Sequence, residues 1–257
     1  PFKGEVLTQV AKFWFEKTKH IAPNHYLSNP DPQVLSTLKA KPLPVEIIIR
    51  GYITGSLWRD YTNGIDDQYG FKIPSGMKKN QKFKKPIITP TTKAEYGQHD
   101  EAISKDEIIS GLVDKNIYEK AEEYSLELFS EGQKWASERG LILVDTKYEF
   151  GMIGDELYVI DEIHTPDSSR FWLAEEYEYR YKTSKKQIML DKENIRQWLI
   201  GKGFSGEGNP PKLDDDIRVL LSEKYIELYE KLIGQKFNPE IGNVKKRIEN
   251  NLSNIKV

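Results

Sequence analysis

Cysteine is absent from this 257-residue chain. That excludes a disulfide framework, a thiolate metal site and a cysteine nucleophile, and it fits a reducing compartment, with the cytoplasm as the expected location. Histidine occurs four times, too few for a zinc centre to be expected. No apolar run approaches the roughly 20 residues that cross a bilayer, and the opening PFKGEVLTQVAKFWFEKTKH lacks the layout of a signal peptide. The expectation is a soluble protein with no membrane partner. Net charge is also scarce: 38 basic against 40 acidic residues leave a formal charge of -2, so no global field favours nucleic acid. An anionic ligand must be held by local charges. Internal repeats and low-complexity tracts are missing, and the length suits one domain or one domain in two lobes.

The residues present organise into a readable series of elements. EVLTQVAKFWFEKT, 5 to 18, spaces Val6, Val10, Phe13 and Phe15 at near-helical intervals and predicts an amphipathic helix on a core. PLPVEIIIR, 42 to 50, is a β-branched run opened by prolines and predicts a buried strand. No convincing strand precedes it, so its pairing partners are expected upstream of Pro1. Residues 61 to 100, rich in Lys, Gly, Pro, Thr and Asn, read as a long irregular excursion. A helix is expected over 105 to 139, stopped by Gly140. LILVDTKYEFG (141 to 151) and ELYVIDEIHT (156 to 165), joined by a Gly-Asp turn, predict a hairpin. Further helices are expected at about 191 to 202, 213 to 233 and 238 to 254. Without strict βα alternation, the class is α+β in preference to a doubly wound sheet.

Four stretches carry candidate chemistry. On the hairpin, Asp145, Lys147 and Glu149 fall on one face by alternation, with Asp161 and Glu162 on the second strand. Such charges are usually a solvated sheet face. Carboxylates with an intervening lysine are also what a Mg-nucleotide site needs, because Mg²⁺ takes one or two carboxylates plus phosphate oxygens. RGYITGS, 50 to 56, combines Arg50, Gly55 and Ser56 in a set suited to a phosphate monoester, or in a plain strand-to-helix connection. In HTPDSSRFW, 164 to 172, Asp167 could equally be a turn residue. Lys192 and Arg196 stand at i,i+4 and could converge on one anion. Lys93, His99 and Asp100 lie in the long loop. Phe13, Phe15, Trp58, Trp135 and Trp198 read as core.

Together, LPVEIIIRGYITGS, LILVDTKYEFG and DEIHTPDSSRFW resemble the signature segments of the SAICAR synthetase family, and the likeness extends through TTKAEYGQHD and LDKENIRQWL to about residue 235. The SLWRDY continuation is similar to the longer, fungal-type branch. The resemblance implies a two-lobed α+β fold with a kinase-like ATP-binding cleft between the lobes, residues 1–50 completing an N-terminal lobe and 51–257 forming the catalytic lobe of a single domain. It implies an ATP- and Mg²⁺-dependent ligase of purine biosynthesis joining L-aspartate to an aminoimidazole carboxylate ribonucleotide, as monomer or homodimer. The backbone at Lys41, Pro42 and Leu43 would lie at adenine and Lys147 near the phosphates, with Glu149 and Asp161 on Mg²⁺. Arg50, Ser56 and Arg170 would take the substrate phosphate, with Asp167 on its ribose or imidazole side and Lys192 and Arg196 in support. Lys93, with His99 and Asp100, would approach the reacting carboxylate and the aspartate. The family's glycine- and lysine-bearing ATP-covering segment is expected upstream of Pro1. Two other classes stay open: a phosphotransferase acting on a hydroxyl, and a nucleotide-binding protein without catalysis.

Overall fold

Two long strands carry the molecule, β3 (Lys41–Tyr52) and β6 (Leu141–Ile153). They run antiparallel, with Glu46 opposite Glu149, Ile48 opposite Lys147 and Arg50 opposite Asp145. The computed structural model describes residues 2–93, 100–204 and 208–253. Along β3, Val45, Ile47 and Ile49 are buried in the main core, so alternation turns Glu46, Ile48 and Arg50 to the other face. On β6, Leu143 and Tyr148 both join that core. An irregularity between Leu143 and Asp145 in its pairing with β8 (Ser169–Leu173) accounts for the change of parity. Asp145, Lys147 and Glu149 therefore face the same way as Glu46 and Arg50.

Six strands complete this sheet, in the order β4 (Lys82–Ile88), β3, β6, β7 (Glu156–Ile160), with β5 (Thr91–Thr92) on β3 and β8 on β6. A separate hairpin, β1 (Tyr26–Asp31) and β2 (Val34–Thr37), precedes β3. The apolar face is covered by α1 (Lys3–Thr18) and α4 (Lys115–Ser137), which contribute Trp14, Phe15, Tyr118 and Phe129 to the core. Beyond the polar face lie α2 (Gly55–Thr62), α5 (Ala174–Lys182) and α6 (Glu193–Gly201), while α7 (Asp215–Ile233) packs against α1, adds Leu228 and Leu232 to the main core and reaches Asp167 with Tyr225. The last helix, α8 (Val244–Ser253), is clasped to β1 by Arg247, whose guanidinium donates to both oxygens of the buried Asp31 at 2.9 and 3.1 Å.

Several sequence expectations need correction. Among the described residues, the strands that pair with β3, namely β4, β5 and β6, all come from downstream of it. Two strands do precede it, β1 and β2. Both were missed because Asn29, Pro30 and Asp31 sit within or beside them and disguise the pattern. The excursion over 61 to 100 contains β4 and β5. The single helix expected over 105 to 139 is broken: a short α3 (Lys105–Glu107), capped by Ser104 and Glu107, runs into a π-helical turn at Ile108–Leu112, and Asp114 caps α4 afresh. β7 stops at Ile160, so Asp161 and Glu162 lie in the connection after it. β8 begins within the stretch read as a turn, and α5 occupies residues for which no element was expected. Among the described residues no helix is long and apolar enough to cross a membrane.

Candidate active site

The polar face of β3 and β6 holds two charged clusters one after the other along the same strands. At the first, Lys147 Nζ donates to Glu46 at 2.8 Å and to Glu149 at 2.5 Å. Lys93 pairs with the other oxygen of Glu149, and Asp161 stands 3.9 Å from Lys147. Burial would raise the Glu149 carboxyl, but hydrogen bonds from Lys147 and Lys93, and their charges, bring it down to about 2. Lys147 is pushed up despite burial, because Glu149 and Glu46 both accept from it. Glu46 and Asp161 shift upward, chiefly through burial, with the charge of Glu149 adding to it.

At the second cluster, Arg170 reaches from β8 to Asp145 at 2.5 Å and to Glu193 at 3.4 Å. Arg50 donates to Thr89 at 2.8 Å and stands 3.7 Å from the same Asp145. Asp191 is buried and accepts the backbone N–H groups of Phe171 and Glu193, each at 2.8 Å; burial pushes it up to about 7. Gly55 is required where the chain enters α2: its φ is 60°, and an added Cβ would meet the Arg170 guanidinium at 2.6 Å. Arg50, Asp145, Arg170, Asp191 and Glu193 wall a cavity of about 400 Å³, completed by Ser56, Asp167, Lys192, Arg196 and Tyr225. Asp167 accepts from Tyr225 at 2.6 Å and pairs with Lys3 of α1 at 2.7 Å. A cavity lined by the buried Arg50, the largely enclosed Arg170, further cations and a carboxylate–tyrosine pair suits a polar anionic ligand with hydroxyl groups.

With this geometry in hand, the chain can be set beside known proteins. The sequence model of the family described as SAICAR synthetase matches residues 1–211. The chain belongs to the SAICAR synthetase family. A phosphoribosylaminoimidazole-succinocarboxamide synthase from Bacteroides fragilis is 49% identical over 256 residues, covering 98% of this chain and 82% of the relative. The same-named protein of Cytophaga hutchinsonii is 48% identical, again over 98% of this chain and 82% of its own length. Among solved structures, the SAICAR synthase from Saccharomyces cerevisiae complexed with SAICAR superposes with a TM-score of 0.79 at 35% identity, covering 93% of this chain and 84% of that one. The Pyrococcus horikoshii SAICAR synthetase, at 24% identity and a TM-score of 0.69, shares the fold.

Within this SAICAR synthetase fold the sequence-predicted residues separate into two sets. Lys93, Lys147, Glu149 and Asp161 meet in the first cluster. Asp100 is exposed, but its charge acts on Glu46 of that same cluster, which sets it apart from the other predicted substrate-binding residues. Arg50, Ser56, Asp167, Arg170, Lys192 and Arg196 line the second. Lys41, Pro42 and Leu43 open β3, away from the cavity walls, and His99 lies outside the described residues. Asp161 is left-handed, φ 65°, beyond the strand that was expected to hold it. Sequence reasoning passed over Glu46, Asp191, Glu193, Lys3 and Tyr225, and used Asp145 only as a strand charge. Glu46 had a legible signal, a lone carboxylate inside a β-branched run. Tyr225 had none, because only the packing of α7 brings it to Asp167.

Proposed function

We propose that this chain is an ATP-dependent ligase that joins L-aspartate to 5-amino-1-(5-phosphoribosyl)imidazole-4-carboxylate, giving SAICAR, ADP and phosphate. The observation that carries this reading is the pair of clusters on one strand face, lysines with carboxylates at one end and largely enclosed arginines at the other. That suits two phosphate-bearing substrates laid end to end. ATP would lie over the first cluster, with the backbone of Lys41 to Leu43 toward adenine and Lys147 against the phosphates. In this reading residues 1–50 complete an N-terminal lobe and residues 51–257 form the catalytic lobe, and both contribute to each cluster. The nucleotide would fill the second cavity, its phosphate on Arg50, Ser56 and Arg170, with Lys192 and Arg196 beside it and Asp167 at the ribose or imidazole.

Among the described residues no group of three or more His, Asp or Glu assembles as a metal cage, but Mg²⁺ needs only one or two carboxylates when phosphate oxygens supply the rest. Glu149 and Asp161 fit that donor set, and Mg²⁺ there would neutralise phosphate charge. The reaction follows from electrostatics. A carboxylate resists an amine, so the substrate carboxylate oxygen first attacks the γ-phosphorus of ATP and ADP leaves. The aspartate amine then attacks the acyl carbon, phosphate departs and the amine loses a proton. Lys147 and Lys93 would hold the oxygens on which negative charge moves, and no nucleophilic side chain is needed. Testing is direct: ADP release by the purified chain should require both the carboxylate nucleotide and L-aspartate. Release with a hydroxyl acceptor and without aspartate would show a phosphotransferase instead.

A further inference from the structure

The segment joining the two clusters, residues 161 to 170, is pinned at its middle by a buried group that neither cluster uses. His164 is fully buried. Its ring stands edge-on to Trp14 of α1 at 4.5 Å between centroids, and its Nε2 lies 2.5 Å from the hydroxyl of Tyr148 on β6. The third wall is α4, which makes room for the ring. Gly132 sits inside a 23-residue helix, where glycine costs about 1 kcal/mol relative to alanine. A Cβ there would come within 2.4 Å of His164 Cε1.

The backbone at His164 is left-handed, φ 49°, as it is at Asp161 three residues earlier, φ 65°. Residues other than glycine persist in that region only where their surroundings fix them. From this anchor the segment is self-bonded. The Thr165 hydroxyl donates to Glu162 at 2.6 Å and accepts from the N–H groups of Asp167 and Ser168, both at 3.2 Å. The N–H of Lys147 then donates to Ser168 O at 3.0 Å. One rigid piece of chain thus carries Asp161 at its start and Asp167 and Arg170 at its end.

We propose that His164, through its bond to Tyr148, is a positioning residue that fixes the separation of the two clusters and so presents one substrate to the other. The inference rests on the functional reading above. A histidine that merely filled the core would, when replaced, lower stability and the active fraction while leaving both Michaelis constants alone. A positioning residue shared by the two clusters moves both constants together.

Two variants test it. Tyr148→Phe removes one hydroxyl and keeps the ring, and His164→Asn removes the imidazole while keeping a side chain that tolerates the left-handed backbone. Both are assayed well below their melting temperatures, and amide hydrogen exchange is followed over residues 161 to 170. In Tyr148→Phe, exchange at Asp167 and Ser169 should rise by on the order of tenfold, and the Michaelis constants for ATP and for the nucleotide should both rise about 3- to 10-fold. His164→Asn should do the same to a greater extent. Unchanged exchange in Tyr148→Phe overturns the clamp whatever the activity. Faster exchange with either Michaelis constant unmoved overturns its role in joining the clusters. If the unaltered chain shows no turnover at all, the functional reading fails, and exchange alone then decides the clamp.

Discussion

The two clusters on the polar face of β3 and β6 solve the problem of holding anions in opposite ways. In the first, the cations are lysines and the cluster is partly open: the side chains of Lys147, Lys93 and Asp161 are 28%, 34% and 47% exposed. In the second, the cations against the sheet are arginines in nearly closed surroundings, with Arg170, Asp145 and Glu193 at 13%, 10% and 10%, while the exposed Lys192 and Arg196 stand at the rim. The difference follows from hydration. An ammonium is a strongly hydrated point charge that works where water and moving phosphate oxygens reach it, whereas a guanidinium tolerates desolvation and fixes its partners by planar, multiple hydrogen bonds. The open cluster is suited to charge that moves during reaction, and the closed one to charge that is only held.

The sharpest way to break this contrast is Arg170→Ala. It leaves Asp145 and Glu193 buried without their common cation, and removing one partner of a buried pair costs about 3 to 5 kcal/mol. Denaturant unfolding should show that loss, and nucleotide saturation should weaken far more than ATP saturation. Glu149→Gln comes next. It removes the shared acceptor of Lys147 and Lys93, and turnover should fall on the order of 100-fold while the melting transition survives. Asp161→Asn, in the more exposed position, should cost less under the same assay.

Titration gives a third comparison. Burial pushes His164 from 6.5 down to about 3, so its neutral form is favoured on folding. Its contribution to stability is complete above about pH 6.5 and is lost as the pH falls toward 3. Glu149, held down from 4.5 to about 2, likewise contributes above pH 4.5 and loses that contribution toward 2. Asp191, raised from 3.8 to about 7, runs the other way: its contribution is complete below about pH 4 and is lost as the pH rises through 7. Between about pH 6.5 and 4 the His164 and Asp191 contributions run in opposite directions and largely offset. Stability measured by denaturant should therefore decline mainly below pH 4.5, where Glu149 is also lost, and His164→Asn should make stability rise as the pH falls from 6.5 to 4.5. The smallest expected effect is that of salt. Raising ionic strength from about 0.01 to about 1 M shrinks the screening length from about 30 to about 3 Å. That should weaken ATP binding at the open cluster more than nucleotide binding at the closed one.

Much of this site could be seen in the sequence because its residues are local to strands. Alternation alone put Asp145, Lys147 and Glu149 on one face, and Arg50 marked the end of a β-branched run that does become β3. Asp161 was assigned to a strand it does not belong to, since no sequence pattern announces a left-handed residue after Ile160. The β1–β2 hairpin, β8 and α5 were hidden for a related reason: short elements with prolines, serines or mixed charges lack the period that identifies a longer one. Resemblance to a known family supplied roles for residues whose spacing carried none, among them Asp167 and Lys93.

The chain by itself determined the α+β class, the two long strands, the main helices and the local order of charges along β3 and β6. Those depend on periods of two and 3.6 residues, which any stretch of a dozen residues displays. Only the tertiary structure decided which charges meet. Glu46 finds Lys147 across 101 residues, and Tyr225 finds Asp167 across 58. The β6 irregularity beside Leu143 decides which face Asp145 takes. Such encounters are set by strand register and helix packing, and a carboxylate has the same appearance in sequence whether it ends in water or against a buried arginine.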